Sequence, residues 1–266
     1  MTFRRLRILL LLGVLAAAAG LTWLEQSMVR GGRAPLDVAV IPINGDGSHE
    51  ASETIRALQV GDFADINAFL ERETARYGAK QSPVMQVTLL QELKQKPPAP
   101  PRGGNVLKTI LWSLQLRWWV YQQSGEWLPQ LGKVKLFVLY HAPQDGIALE
   151  HSLGLQKGLI GVVHAFADSR QTRQNNIVIA HELLHTLGAT DKYDADGRPI
   201  YPRGYAEPEL PQSVPRREAE IMAGRLVNAA GRLVMPPSLE QCVIGAMTAH
   251  EINFDEGFRR RFASGD

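Results

Sequence analysis

The sequence predicts an α+β or α/β layer domain, helices packed on a sheet, behind an apolar N-terminal segment. Three features predict it. Runs dense in β-branched and aromatic residues alternate with runs whose apolar residues recur every three or four positions. After the last long helical run comes a stretch rich in Pro, Gly and Tyr, which makes the C-terminal part irregular. The 266 residues, 45% hydrophobic and 21% charged, suit one large domain and exclude wholesale disorder, collagen and coiled coil.

Charge and cysteine content narrow the function. Lys plus Arg is 29 and Asp plus Glu is 27, a formal charge of +2, so nothing points to nucleic acid as a partner. Cys242 is the single cysteine, so no intrachain disulfide and no cysteine-built metal cluster is available. Set among Val243, Ile244 and Ala246, it reads as a small buried hydrophobe.

The elements follow in order. Arg4, Arg5 and Arg7 precede an uncharged apolar run from Ile8 to Leu24, the pattern of a signal anchor or a signal peptide over residues 1–25. Ala17-Ala18-Ala19 offers a cleavage site. In either case the rest of the chain is expected on the non-cytoplasmic side, anchored at the periplasmic or extracellular face or secreted after cleavage. Residues 26–35 read as a linker, and residues 36–266 as the folded domain. Asp37–Ile43, Pro83–Leu90 and Lys133–Tyr140 read as strands, and Leu149–His164 as two short strands divided at Lys157-Gly158. Asp62–Tyr77 reads as a helix with Asp62 as N-cap and Gly78 as stop. Lys96–Gly104 is a proline loop. Asn105–Gln123 is a helix with Val106, Ile110, Leu114, Trp118 and Tyr121 on one face, widened by Trp112, Leu116 and Trp119, and its tryptophans read as core packing. A helix from Gln174 to Leu187 precedes the irregular part, and a last helix is expected from Pro237 or Ser238 to His250. His141, His151 and His164 read as structural, His250-Glu251 as a solvated helix end, and Arg216-Arg217 and Arg259–Arg261 as solvated surface.

The segment Asn176–Tyr193 (NIVIAHELLHTLGATDKY) carries chemistry. His181 and His185 are one helical turn apart, so both imidazoles reach one metal ion from one face. Glu182 lies about 100° round the helix, beside the metal, where it can take a proton from an activated water and pass it to a leaving amine. Ile177, Ala180, Leu184 and Leu187 form an apolar stripe that anchors the helix. Gly188 permits a left-handed helix end, and the turn would bring Asp191 towards the metal. Two imidazoles, one carboxylate and a water suit a catalytic zinc, one per chain. Asp191, Asp194 and Asp196 also space as a loose calcium loop, against which stands a simple turn at Asp196-Gly197.

At these residues the sequence resembles the metzincin clan of zinc metallopeptidases, whose pattern is HExxHxxGxxH followed by a methionine turn. Here the string is HELLHTLGATD, with Asp191 at the third ligand position, as in the snapalysin-like branch. The resemblance implies a zincin-type α+β fold, a twisted mixed sheet with packed helices, an active-site helix and an irregular C-terminal subdomain. It implies His181, His185 and Asp191 as metal ligands and Glu182 as general base, hydrolysing a peptide or protein substrate. It points to Met222, within Glu220–Gly224 (EIMAG), for the methionine turn, ahead of Met235 and Met247. No tyrosine closely follows Met222, which leaves Tyr193, Tyr201 and Tyr205 as candidates to steady an oxyanion. The alternatives are a membrane-tethered, catalytically inactive metal-binding or scaffold protein, and a hydrolase of a non-peptide amide.

Overall fold

Three of the strand-like runs are buried on both sides because they form the parallel centre of a sheet with cover on each face. The structure, a computed structural model, describes residues 35–78, 84–101, 106–124, 132–143, 152–155, 159–228 and 230–254, with isolated positions between 5 and 24. Ala17–Ala19, His151, Arg259–Arg261 and most of the Ile8–Leu24 run and of the linker lie outside the described residues. Among the described residues no helix is long and apolar enough to cross a membrane.

The sheet has the order β2-β1-β3-β5-β4. Strands β1 (Leu36–Asn44), β2 (Met85–Leu89), β3 (Lys133–His141) and β5 (Ile160–Phe166) run parallel, and β4 (Leu153–Leu155) runs antiparallel to β5 at one edge. The fold is therefore mixed α/β around a five-stranded mixed sheet, in keeping with an α+β domain.

Alternate residues of β1, β3 and β5 feed two cores. Val38, Val40, Val134, Leu136, Val138, Val163 and Ala165 face three helices: α1 (His49–Ala57), α2 (Ala64–Arg76) and α4 (Thr172–Leu187). Ala39, Ile41, Ile43, Phe137, Leu139, Ile160 and Val162 face α3 (Val106–Ser124) on the other side. Helix α1 is not anticipated from periodicity; Ser48 caps it by accepting from Ala51 N–H at 3.1 Å. Helix α2 starts later than predicted. Asp62 sits in a 3₁₀ turn (Val60–Phe63), and its carboxylate accepts from Gln59 N–H at 2.8 Å.

Two expectations need correction. On α3 the buried residues are Trp112, Leu116 and Val120, whereas Ile110, Leu114 and Trp118 are exposed. The residues expected to widen the face, Trp112 and Leu116, are the buried ones, and the leading face is exposed, because this helix is apolar on both sides. The expected last helix is three pieces: a 3₁₀ turn (Leu239–Gln241), strand β9 (Cys242–Val243) and α5 (Ala246–Glu251). Strand β9 pairs in parallel with β6 (Ala219–Glu220), and β7 (Leu226–Val227) pairs with β8 (Leu233–Val234).

The C-terminal part is fastened to α2 by polar groups. Arg72 donates to the carbonyls of Leu239 (3.0 Å) and Cys242 (2.7 Å), buried Glu73 accepts from Ile244 N–H (2.8 Å), and Tyr77 OH donates to the Ile244 carbonyl (2.7 Å). Arg216 is also not surface: it is 5% exposed and donates to the carbonyls of Leu210 and Pro211 while lying over the Tyr205 ring.

Candidate metal centre

Helix α4 lies against β5 and β4, with Ile177, Ala180, Leu184 and Leu187 in the core. Its contact with β4 is close because residue 154 is glycine. A Cβ there would come 2.4 Å from His185 Cβ and 2.6 Å from the Glu182 carbonyl. The helix ends at Gly188, whose φ of 109° is left-handed, and Ala189 N–H returns to the Leu184 carbonyl at 3.0 Å. That reversal puts Asp191 back beside the two histidines.

Three atoms converge. His181 Nε2 and His185 Nε2 are 3.1 Å apart, and Asp191 Oδ1 is 3.2 Å from the first and 3.1 Å from the second. The other ring nitrogens are engaged: His181 Nδ1 lies 2.9 Å from the Ile221 carbonyl and His185 Nδ1 2.8 Å from the Ala189 carbonyl. A carbonyl can only accept, so each Nδ1 carries the proton and each Nε2 of a neutral ring turns a lone pair to the common point. Tetrahedral zinc with bonds near 2.0–2.1 Å needs ligand atoms about 3.3 Å apart, close to this spacing.

Glu182 completes the cluster: its carboxylate and the two imidazoles lie within 4.8 Å of one another. It is 4% exposed, and Oε2 has no hydrogen-bond partner. Burial raises its pKa above the ordinary value, opposed by the two histidines. A buried carboxylate oxygen without a partner beside a converging ligand set fits a cation and water there.

Asp191 behaves as an anion. Burial opposes its charge, but His181 and His185 outweigh that and hold its carboxyl well below the usual range. Burial likewise opposes charge on His181, yet Asp191, Glu182 and the Ile221 carbonyl raise its pKa. Tyr193 stacks 6.4 Å from His181, and burial together with the nearby Asp191 carboxylate pushes its phenol up to about 12. Tyr201 instead packs on Tyr205.

Met222 is fully buried in a turn in which Gly224 N–H reaches the Glu220 carbonyl at 3.1 Å. The preceding residue, Ile221, supplies the carbonyl that holds His181. The acidic string divides: Asp194 Oδ1 accepts from the N–H groups of Asp196 and Arg198, both at 2.9 Å, which is a turn closed on itself. His141 and His164 contact each other at 2.9 Å, on the face of the sheet away from α4.

Two supporting residues escape sequence reasoning. Glu220 is 1% exposed and accepts from Thr248 Oγ1 (2.6 Å) and Ala223 N–H (3.0 Å), with its pKa raised by burial. Lys192, also 1% exposed, pairs with Glu251 at 2.7 Å. Acids and lysines usually read as surface, and only the long-range folding of the chain buries these two. No family model matches the chain, and no match is found among curated proteins.

Proposed function

We propose that the protein is a zinc-dependent peptidase of the zincin type, with a metzincin-like arrangement about His181, His185 and Asp191. The observation that carries the reading is the convergence of those three ligand atoms beside the buried, unpartnered carboxylate oxygen of Glu182. The turn at Met222, whose Ile221 carbonyl lies against His181 Nδ1, and the HELLHTLGATD string support the same reading.

Zinc held there supplies Lewis acidity, which makes a water easier to deprotonate and a carbonyl easier to attack. Glu182 does the proton work. Its raised pKa suits a group that first accepts a proton from water and then returns it to the departing nitrogen. Of the three candidate tyrosines we assign the oxyanion role to Tyr193, because its ring is the one that lies against His181. Strand β4 is an edge strand of the sheet, lies on the helix that carries Glu182 and has no second strand partner among the described residues, so an extended peptide would pair with its outer side. The N-terminal apolar run would hold the domain at a membrane on the non-cytoplasmic side.

Metal content of the full chain, beside chelator-sensitive cleavage of casein or a peptide library, tests this. Wild type should carry one zinc, His181→Ala should lose it and Asp191→Ala should bind it more weakly. Glu182→Gln should keep the zinc and lose cleavage by roughly 10²–10⁴-fold, the range for a general base. A wild type that takes up no zinc on reconstitution would sink the reading. Zinc binding with no turnover of peptides or other amides would favour the scaffold alternative.

A further inference from the structure

Helix α3 is apolar on both sides. Its inner side, with Trp112, Leu116 and Val120, covers the sheet. Its outer side carries Leu107, Ile110, Leu111, Leu114 and Trp118, exposed by 71, 49, 66, 57 and 56%. At about 100° per residue these five fall within one narrow stripe, and Lys108 and Arg117 border it on opposite sides. The Trp118 and Tyr121 rings are in contact at 5.2 Å. A helix apolar all round is normally covered all round, and a contiguous exposed apolar patch marks an interaction surface.

We propose that this outer face of α3 docks on the surface of an anionic lipid bilayer. The stripe of aliphatic side chains, the aromatic pair and the bordering cations match the boundary between acyl chains and anionic headgroups. Leucines enter that boundary, aromatic rings lie in it, and basic residues at its edge favour anionic headgroups. The chain also brings a bilayer within reach. The apolar run ends at Leu24, and the residues from there to the start of β1 at Leu36 span at most roughly 40 Å when extended. The inference rests on the expected N-terminal membrane segment and is independent of zinc and of cleavage. Because α4 lies on the opposite face of the sheet, docking through α3 turns the candidate metal centre away from the lipid.

The test uses the full chain in vesicles of phosphatidylcholine and phosphatidylserine, with an environment-sensitive fluorophore on a thiol introduced by Leu111→Cys or Leu114→Cys. Both positions are exposed, so the fold tolerates the label, and Cys242, 1% exposed, stays unlabelled in the wild-type control. Glu50→Cys, on α1 across the sheet, is the reference site. The expected result is blue-shifted emission at 111 and 114 that lipid-borne quenchers extinguish, with water-like, unquenched emission at 50. Water-like emission at 111 and 114 in chain that floats with the vesicles overturns the proposal and leaves the N-terminal anchor standing. Blue-shifted emission that lipid quenchers do not reach overturns it in favour of a protein cover, either the chain's own apolar run or a second copy. A chain that does not float overturns both the docking and the anchor, while zinc content and cleavage report separately on the peptidase.

Discussion

Two main-chain carbonyls decide which nitrogen each histidine offers, and one of them depends on a buried acid. Ile221 lies in the turn that Glu220 holds: one carboxylate oxygen accepts from Ala223 N–H, the other from Thr248 Oγ1 and Gly245 N–H. With that carboxylate removed, the turn loses its tie to α5 and the Ile221 carbonyl loses its fixed place against His181. Glu220→Ala should therefore destabilise the protein by about 1–3 kcal/mol, the cost of leaving buried donors unsatisfied. Orienting partners of metal-bound histidines are typically worth 10–100-fold in metal affinity, and a loss of that order is expected here. Thermal melts and chelator competition read the two effects separately. Lower stability with unchanged zinc affinity would mean that the turn does not position His181. Glu220→Gln should come closer to wild type, because burial already raises the pKa of this carboxyl and a neutral amide keeps one acceptor.

At the level of elements, the end of α4 decides whether the site closes. Gly188 has a φ of 109°, where a side chain costs about 1–2 kcal/mol. Gly188→Ala should lower stability by about that amount. If the turn relaxes towards right-handed backbone, Asp191 is also carried away from the histidines and zinc affinity falls. Titration of the variant with zinc, beside its denaturant midpoint, would reveal a loss of stability without a loss of affinity, which would show that the turn holds despite the strain. This end was legible in the sequence because glycine at that place has one common structural use. The four-residue step of His181 and His185 was legible for the same kind of reason: helical spacing alone puts them on one face. The face that α3 buries was not legible, since Leu107, Ile110, Leu111, Leu114 and Trp118 repeat with the same period as Trp112, Leu116 and Val120. Periodicity gives the axis of an apolar helix but not its inward side. The C-terminal part was misread for another reason. Strands β6 and β9 are two residues each and exist because residues 239–244 are pinned to α2 by Arg72, Glu73 and Tyr77. Contacts this distant in sequence leave no local pattern.

Across the whole molecule, the segment after α4 must leave the site, wrap round and return, and α5 closes that path. Glu251 on α5 accepts from Thr190 N–H and Oγ1, each at 2.8 Å, and from Lys192 Nζ at 2.7 Å. Residues 190 and 192 flank Asp191, so this clasp ties α5 to the turn that carries Asp191. Lys192 is buried, and its Nζ also donates to the Thr190 carbonyl and hydroxyl at 2.7 and 2.8 Å. Burial alone would raise the Glu251 pKa, but the contacts from Lys192 and Thr190 outweigh it and hold the carboxyl below its ordinary value of 4.5. A carboxyl depressed on folding contributes stability that is fully present above its unfolded pKa and is lost as pH falls through the folded one. The clasp should therefore hold at neutral pH and weaken progressively below about pH 4.5. Glu251→Gln leaves Lys192 buried without its counter-charge and should cost about 2 kcal/mol at pH 7, less than in a fully buried pair because Glu251 keeps some contact with water. Below the folded pKa the wild-type carboxyl is protonated as well, and the two proteins should converge. Melting temperatures of both, measured from pH 7 down to pH 3, should thus show a gap that narrows only in the acid range. A gap that stays constant to pH 3 would mean that the charge of Glu251 does not hold the C-terminal helix to the site.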